Sequence, residues 1–152
     1  IIYMMDLESL LKMWENDSKI DDVNLDDTSI NSAKLHSKYL ELYSHVKLRL
    51  KKKELDLAIL KKDLWLYYNG KMTQEELDDK GWDYDPFKGM AKPLKGDMNR
   101  FYEADSNMIE MELALEYLKT FCDTCKDILD NVRFRHLTIK NIIMHRQFVS
   151  GN

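Results

Sequence analysis

"FYEADSNMIEMELALEYLKTFCDTCKDILDNV", residues 101–132, carries the pattern that decides the fold. Phe101, Ala104, Met108, Met111, Leu115, Leu118, Cys122, Cys125, Leu129 and Val132 alternate steps of three and four without interruption. In a helix those positions form one stripe, and a stripe held to this heptad rhythm is the seam of a helix pair. The rhythm predicts a long helix over 98–131 whose apolar edge lies against a second helix.

That second helix is read upstream, over 28–70. Leu35, Tyr39, Leu42, Val46 and Leu50, then Leu57, Leu60, Leu64 and Tyr67, repeat the same steps with one slip around Lys53, and no Gly or Pro interrupts before Gly70. Asp27 or Thr28 is the expected cap. Roughly 40 residues at 1.5 Å rise extend about 60 Å, a length that needs a partner helix or a neighbouring subunit. The two seams therefore predict a long helical hairpin. Between them, residues 71–97 hold both prolines and three of the five glycines, so this acidic stretch reads as a loop. Within it Thr73 and Glu76 match a capping box opening a short turn to Asp79, and Trp82, Tyr84 and Phe87 are expected to pin the loop to the helices, the other option being an exposed partner surface.

Outside the hairpin, Leu7, Leu10, Leu11 and Trp14 predict a short helix over 4–15, followed by an acidic linker, "NDSKIDDVNLDD". At the other end, 132–149 reads as an amphipathic tail. Ile139, Ile142, Ile143 and Phe148 share one side and Arg133, His136 and Lys140 another, so the tail docks on its own domain or on another copy. The expected architecture is mostly α: one domain over 1–152 made of a long helical hairpin, a short N-terminal helix and a C-terminal amphipathic helix.

Composition agrees. In 152 residues, 44% are hydrophobic and 33% charged, with few Gly and Pro, which excludes a disordered chain and disfavours a turn-rich β-sandwich. "IIYMM" lacks the length and cleavage site of a signal peptide, and no segment approaches the roughly 20 apolar residues that span a bilayer. A cytoplasmic protein is expected, with its two cysteines reduced. The net charge of −4 hides an asymmetry: residues 32–70 carry 4 acids and 9 bases, while 71–130 carry 15 acids and 8 bases. After Asp130 there are 4 bases and no acid. Such polarity speaks to partners rather than to fold.

Little in the sequence points to chemistry. "CDTC" at 122–125 has the spacing of a redox or zinc motif, but it lacks a βα context or further ligands, and both cysteines sit in the seam, where a thiol packs as a small hydrophobe. His36, His45, His136 and His145 form no metal-binding spacing. There is no phosphate-binding glycine loop and no nucleophile elbow. The expectation is a protein that is not an enzyme and needs no metal or cofactor.

Binding remains. "HVKLRLKKK", residues 45–53, puts five bases into seven residues, and Lys61, Lys62, Tyr67, Tyr68 and Lys71 follow. Cations neutralise backbone phosphates and aromatic faces stack on unpaired bases, which together suit single-stranded nucleic acid. A solvated helix face over core aromatics is the plainer alternative. Membrane binding is the weaker option for the tail, which has few bases and a short apolar face.

Three stretches then resemble the UvsY family of tailed-phage recombination mediators. They are "HSKYLELYSHVK" (36–47), "YYNGK" (67–71) and the ending "LTIKNIIMHRQFVSGN", with Ile139, Lys140, Ile142, Arg146, Phe148 and Gly151 in the family's pattern. They occur in family order at compatible spacing. Two departures stand out: the acidic loop is longer, and Leu64 stands where the family has an Arg just before the double Tyr. The resemblance implies a non-enzymatic, ring-shaped homo-oligomer of about six or seven copies, working in the host-cell cytoplasm. Such a protein binds single-stranded DNA and loads a RecA-like recombinase onto DNA covered by single-strand-binding protein, in recombination, repair and recombination-dependent replication. It also implies that Lys47, Arg49, Lys51, Lys52, Lys53, Lys61, Lys62, Tyr67, Tyr68 and Lys71 meet DNA, and that Ile139, Ile142, Ile143 and Phe148 hold subunits together. The rival expectation is a helical scaffold that binds only protein.

Overall fold

The computed structural model describes residues 5–151. Five α-helices dominate: α1 (Leu7–Asp17), α2 (Leu25–Tyr68), α3 (Gln74–Lys80), α4 (Met98–Ala104) and α5 (Ser106–Ser150), with one 3-10 turn, Lys95–Asp97, leading into α4. No strand occurs among the described residues. The chain is mostly α, and it gathers into two compact units: one takes the chain up to Leu48 and again from Leu118, the other takes Arg49–Tyr117. The division on α2 falls near the slip in its seam.

Several boundaries differ from the sequence reading. The N-terminal helix runs two residues further, to Asp17, and its expected start at Met4 lies outside the described residues; Asp6 caps it by accepting from the Ser9 amide at 2.7 Å. The long helix α2 begins at Leu25 rather than at Asp27 or Thr28. Asp21 accepts from the amides of Val23 and Asn24 and so turns the chain into the helix early, while the Thr28 hydroxyl donates to the carbonyls of Asp21 and Asn24 from inside the first turn. The downstream helix is broken at Asp105, and beyond the break it continues without pause through the tail, so 132–149 is the end of α5 and not a separate helix.

In the unit containing both termini, α2 and α5 run antiparallel. Thr28, Asn31 and Lys34 line the same cleft as Arg135, whereas Lys47 lies near Cys122. Buried Leu118, Phe121, Cys122, Cys125, Ile128, Leu129, Val132 and Ile139 extend the α5 seam, and Tyr39 and Val46 answer from α2. Helix α1 is held at two points. Trp14 meets Tyr39 edge-on with ring centroids 5.5 Å apart, and Asp17 accepts from the Tyr39 hydroxyl at 2.9 Å and from Lys38 Nζ at 2.6 Å. Arg135, only 5% exposed, donates to the carbonyls of Asp17, Ser18 and Lys19. The Asp17 and Ser18 carbonyls end α1 and the Lys19 carbonyl follows its cap; none has a helical partner, so a cation there satisfies them and complements the helix dipole.

Both cysteines are buried and free. Burial raises both thiols above the ordinary range, Cys125 to about 11. That is the environment of packing groups, not of reactive thiolates.

The other unit is built on an aromatic cluster. Leu64, Tyr67, Tyr68, Leu77, Phe87, Met98 and Met108 form its buried centre, with Leu57, Leu60, Met72, Trp82, Phe101 and Tyr102 packed around it. Two left-handed glycines stop helices here. At Gly70 the amides of Gly70 and Lys71 return to the carbonyls of Tyr67 and Leu66; at Gly81 the amides of Gly81 and Trp82 return to Asp78 and Leu77. Helix α3 opens with the capping box of Thr73 and Glu76. Of the loop aromatics, Trp82 packs 5.0 Å from Tyr67 and Phe87 packs 5.8 Å from Tyr68, whereas Tyr84 is exposed.

Asp105 joins these parts. Its carboxylate accepts from the amides of Asn107 and Met108, which starts α5, and from the Tyr68 hydroxyl at 2.8 Å, which fixes that start against the end of α2. Burial, then the hydrogen bond to Asp105, raises the Tyr68 phenol well above its usual range, so it stays a donor. Asp105→Ala removes a cap and orphans a buried hydroxyl; a loss of roughly 2–3 kcal/mol is expected from urea unfolding at fixed protein concentration. Tyr68→Phe should cost only about 1 kcal/mol, because Asp105 keeps its amide donors. A loss under about 0.5 kcal/mol for Asp105→Ala would refute this junction role.

The thiols supply an independent check. Iodoacetamide at pH 8 should label Cys122 and Cys125 at least about tenfold more slowly in the folded chain than in urea. Equal rates would mean that the thiols are accessible and that a redox or metal role is open again.

Candidate nucleic-acid interface

The basic block lies on α2 because Leu, Lys and Glu sustain a helix through 49–68 with no glycine or proline. A continuous helix, however, scatters neighbouring side chains by about 100° per residue. Arg49, Lys51, Lys52, Lys61 and Lys62 are exposed, while Lys53 is half-buried. On a regular helix Lys51 and Lys62 fall within about 20° of each other, opposite the buried stripe, and Lys61 and Trp65 within about 40° on the next flank. Lys53 turns toward the buried side. Lys52 lies about 180° from Lys61, so the block is spread around the helix and is not one patch. Lys47 belongs to the other unit, exposed, with Nζ 5.9 Å from the centroid of the Tyr43 ring.

Ion pairing along α2 is thin. Lys51 lies 3.9 Å from Glu54 and Lys62 lies 3.5 Å from Asp63, which also pairs with Lys80 at 3.0 Å. Arg49, Lys52 and Lys61 have no ion pair among the described residues. At exposed sites such pairs contribute about 0–1 kcal/mol, so they do not withdraw Lys51 or Lys62 from an incoming phosphate.

The aromatic part of the sequence reading needs correction. Tyr67 and Tyr68 are 9% and 8% exposed and lie inside the aromatic cluster, with hydroxyls donating to the Asp83 carbonyl and to Asp105. A buried ring whose hydroxyl is engaged has no free face for a base. The seam rhythm that places Tyr67 beside Leu60 and Leu64 is what buries it. The aromatic that does reach solvent is Trp65, 47% exposed, with Lys71 Nζ 4.6 Å from its ring centroid. Its position off the stripe, between Leu64 and Leu66, was the available signal.

Along the tail, Ile139 is buried and Ile142 half-buried within the chain, so neither offers a fully open face, whereas Ile143 and Phe148 are exposed. A second row comes into view instead. Phe134, Leu137, Asn141, Met144 and Phe148 step by three, four, three and four, and all five are exposed. Arg133 and Arg146 pair with Asp130 and Asp22 of the same chain, at 3.7 and 3.2 Å.

Among the described residues no cluster of three or more His, Cys, Asp or Glu has the arrangement of a metal site, and no helix is long and apolar enough to cross a membrane. What the surface offers is charge, one half-exposed indole and an open heptad row.

The family described as "Recombination, repair and ssDNA binding protein UvsY" matches residues 13–152. "Recombination protein uvsY" of Enterobacteria phage T4 is 28% identical over 147 residues, covering 97% of this chain and 99% of that protein. The crystal structure of the bacteriophage T4 recombination mediator protein UvsY in lattice type II aligns with a TM-score of 0.81 at 26% identity, over 97% of this chain and 99% of that one. Its lattice type I structure gives 0.77 at 25% identity, over 91% and 97%. Matched from residue 13 to its last residue, with solved structures of the same family covering nearly all of it, this chain belongs to the UvsY family of recombination, repair and single-stranded-DNA-binding proteins.

Proposed function

We propose that this protein is a recombination mediator. It binds single-stranded DNA, assembles with other copies into a ring, and loads a RecA-like recombinase onto DNA covered by single-strand-binding protein. The observation that carries the reading is the family match over residues 13–152; the exposed cations of α2 are its physical support.

Phosphate contacts come from Arg49, Lys51, Lys52, Lys61 and Lys62, with Lys47, Lys53 and Lys71 contributing as DNA follows the surface. Five contacts on one copy give a salt slope of about −3.5, so a fourfold rise in salt weakens binding by roughly 100-fold. A single copy is thus a weak, salt-sensitive binder. A ring presents the same cations many times at high effective concentration, and avidity replaces affinity. DNA bent over such a surface is held less well by its covering protein and is open to the recombinase, while the acidic loop and α3 are the complementary face for a basic partner.

Assembly runs through the end of α5. Ile143 and Phe148 take part, but the principal row is Phe134, Leu137, Asn141, Met144 and Phe148, because a heptad row on a solvent-exposed helix end is satisfied only by another helix. Ile139 and Ile142 instead hold the helix to its own chain.

Two experiments test these assignments. In fluorescence anisotropy with a labelled single-stranded oligonucleotide, K51Q/K52Q/K61Q/K62Q should cut the salt slope by more than half, roughly 0.7 per lost contact. An unchanged slope would overturn the phosphate assignment, and no binding by the wild type at low salt would leave the protein-only scaffold as the better reading. In light scattering, L137S/M144S should give single copies with an unchanged helical spectrum, whereas Ile139→Ser should lower stability by about 2–4 kcal/mol. Assemblies surviving L137S/M144S would refute this face.

A further inference from the structure

Beside the exposed indole of Trp65 lies a cleft of about 410 Å3, lined by Lys61, Leu64 and Trp65 of α2, Asn99, Tyr102 and Glu103 of α4, and Met108 and Glu112 of α5. Its size is that of a small-ligand site, roughly 300–1,000 Å3. Leu64 and Met108 are buried and give it an apolar floor. The Tyr102 wall is fixed: its hydroxyl accepts from Asn69 Nδ2 at 3.0 Å, and Asn69 in turn donates to the Trp65 carbonyl and accepts from Lys92.

We propose that this cleft receives one unpaired nucleobase of single-stranded DNA, stacked on Trp65, with the neighbouring phosphates held by Lys61 and Lys71. The inference rests on the DNA-binding reading and adds to it a site for the base. Charge selects the occupant. Glu103 and Glu112 at the rim repel a phosphate but accept hydrogen bonds from the exocyclic amines of adenine, cytosine or guanine, so the base enters and the backbone stays on the cationic flank. The Lys71 ammonium, 4.6 Å from the indole centroid, marks the ring as a face that attracts a planar or cationic group. When a base arrives, stacking outweighs an exposed cation–π contact and Lys71 turns to the phosphate. Neither Tyr67 nor Tyr68 supplies such a face.

The test compares two probes of equal length and charge, an oligodeoxyadenylate and an abasic sugar-phosphate strand. The wild type should bind the base-bearing strand about 5- to 100-fold more tightly at the same salt. Trp65→Ala should bring the two to within about twofold of each other while leaving the abasic affinity and the salt slope unchanged. Trp65→Phe, which keeps an aromatic face, should retain most of the preference, and this separates stacking from a loss of fold. Equal wild-type binding to both strands, or a preference that survives Trp65→Ala, overturns the base site alone. Absence of binding to either strand at low salt overturns the DNA reading and the base site with it.

Discussion

The apolar stripe of α5 is the constraint that the rest of the structure answers. It runs along 45 residues, Ser106–Ser150, and a helix with such a stripe is stable only if the stripe is covered. In the 49–117 unit, Met108 is covered by the aromatic cluster around Tyr67 and Tyr68. In the terminal unit, the stretch from Leu118 to Ile139 is buried, and Arg135 ties α1 to the same helix. Burying a guanidinium is costly, and burial lowers its pKa. Three carbonyls at one helix end, with Asp17 nearby, are what make the position tolerable for a cation.

That cation also explains what the sequence concealed. The rhythm of Leu129 and Val132 continues through Arg135 to Ile139 and Ile142, but a charged residue at a seam position reads as the end of a seam, so the tail looked like a separate helix. The break at Asp105 was hidden for the opposite reason. Phe101, Ala104 and Met108 keep the rhythm across it, and no glycine or proline announces it. Ala104 lies exposed at the end of α4. Asp105 caps the new helix through the amides of Asn107 and Met108, but the partner that holds it in place is Tyr68, 37 residues away in sequence, and a non-local hydrogen bond leaves no local signature. Hairpin, capping box and seam were legible because each rests on contacts within a few residues or on strict periodicity.

The candidate surface was legible as a set of charges and not as an arrangement. Which residues are basic is written in the sequence; which share a flank depends on how the helix is turned, and Lys53 and Lys61 differ in that respect alone. The aromatic assignment failed on the same point. Tyr67 and Trp65 are two positions apart, about 200° around the helix, so burying one exposes the other. Family likeness points to the double Tyr, whereas burial leaves the neighbouring Trp65 as the ring that reaches solvent.

Whether the cations of α2 are free to act is decided by magnitudes. Their carboxylate neighbours are distant or shared: Glu54 at 3.9 Å, and one Asp63 divided between Lys62 and Lys80. Each such contact contributes at most about 1 kcal/mol and weakens with salt. A phosphate offers as much to each cation and also releases condensed counterions, an entropic gain that an intramolecular pair lacks. The acids of α5, among them Glu110, Glu112 and Glu116, do not compete for these cations in the same way. They make the flank beside α2 unfavourable to a phosphate backbone. Acid and base in the 49–117 unit thus have separate effects, attraction along α2 and exclusion along α5. A net charge of −4 is compatible with binding a polyanion because bases outnumber acids nine to four over residues 32–70, whereas acids outnumber bases 15 to 8 over 71–130.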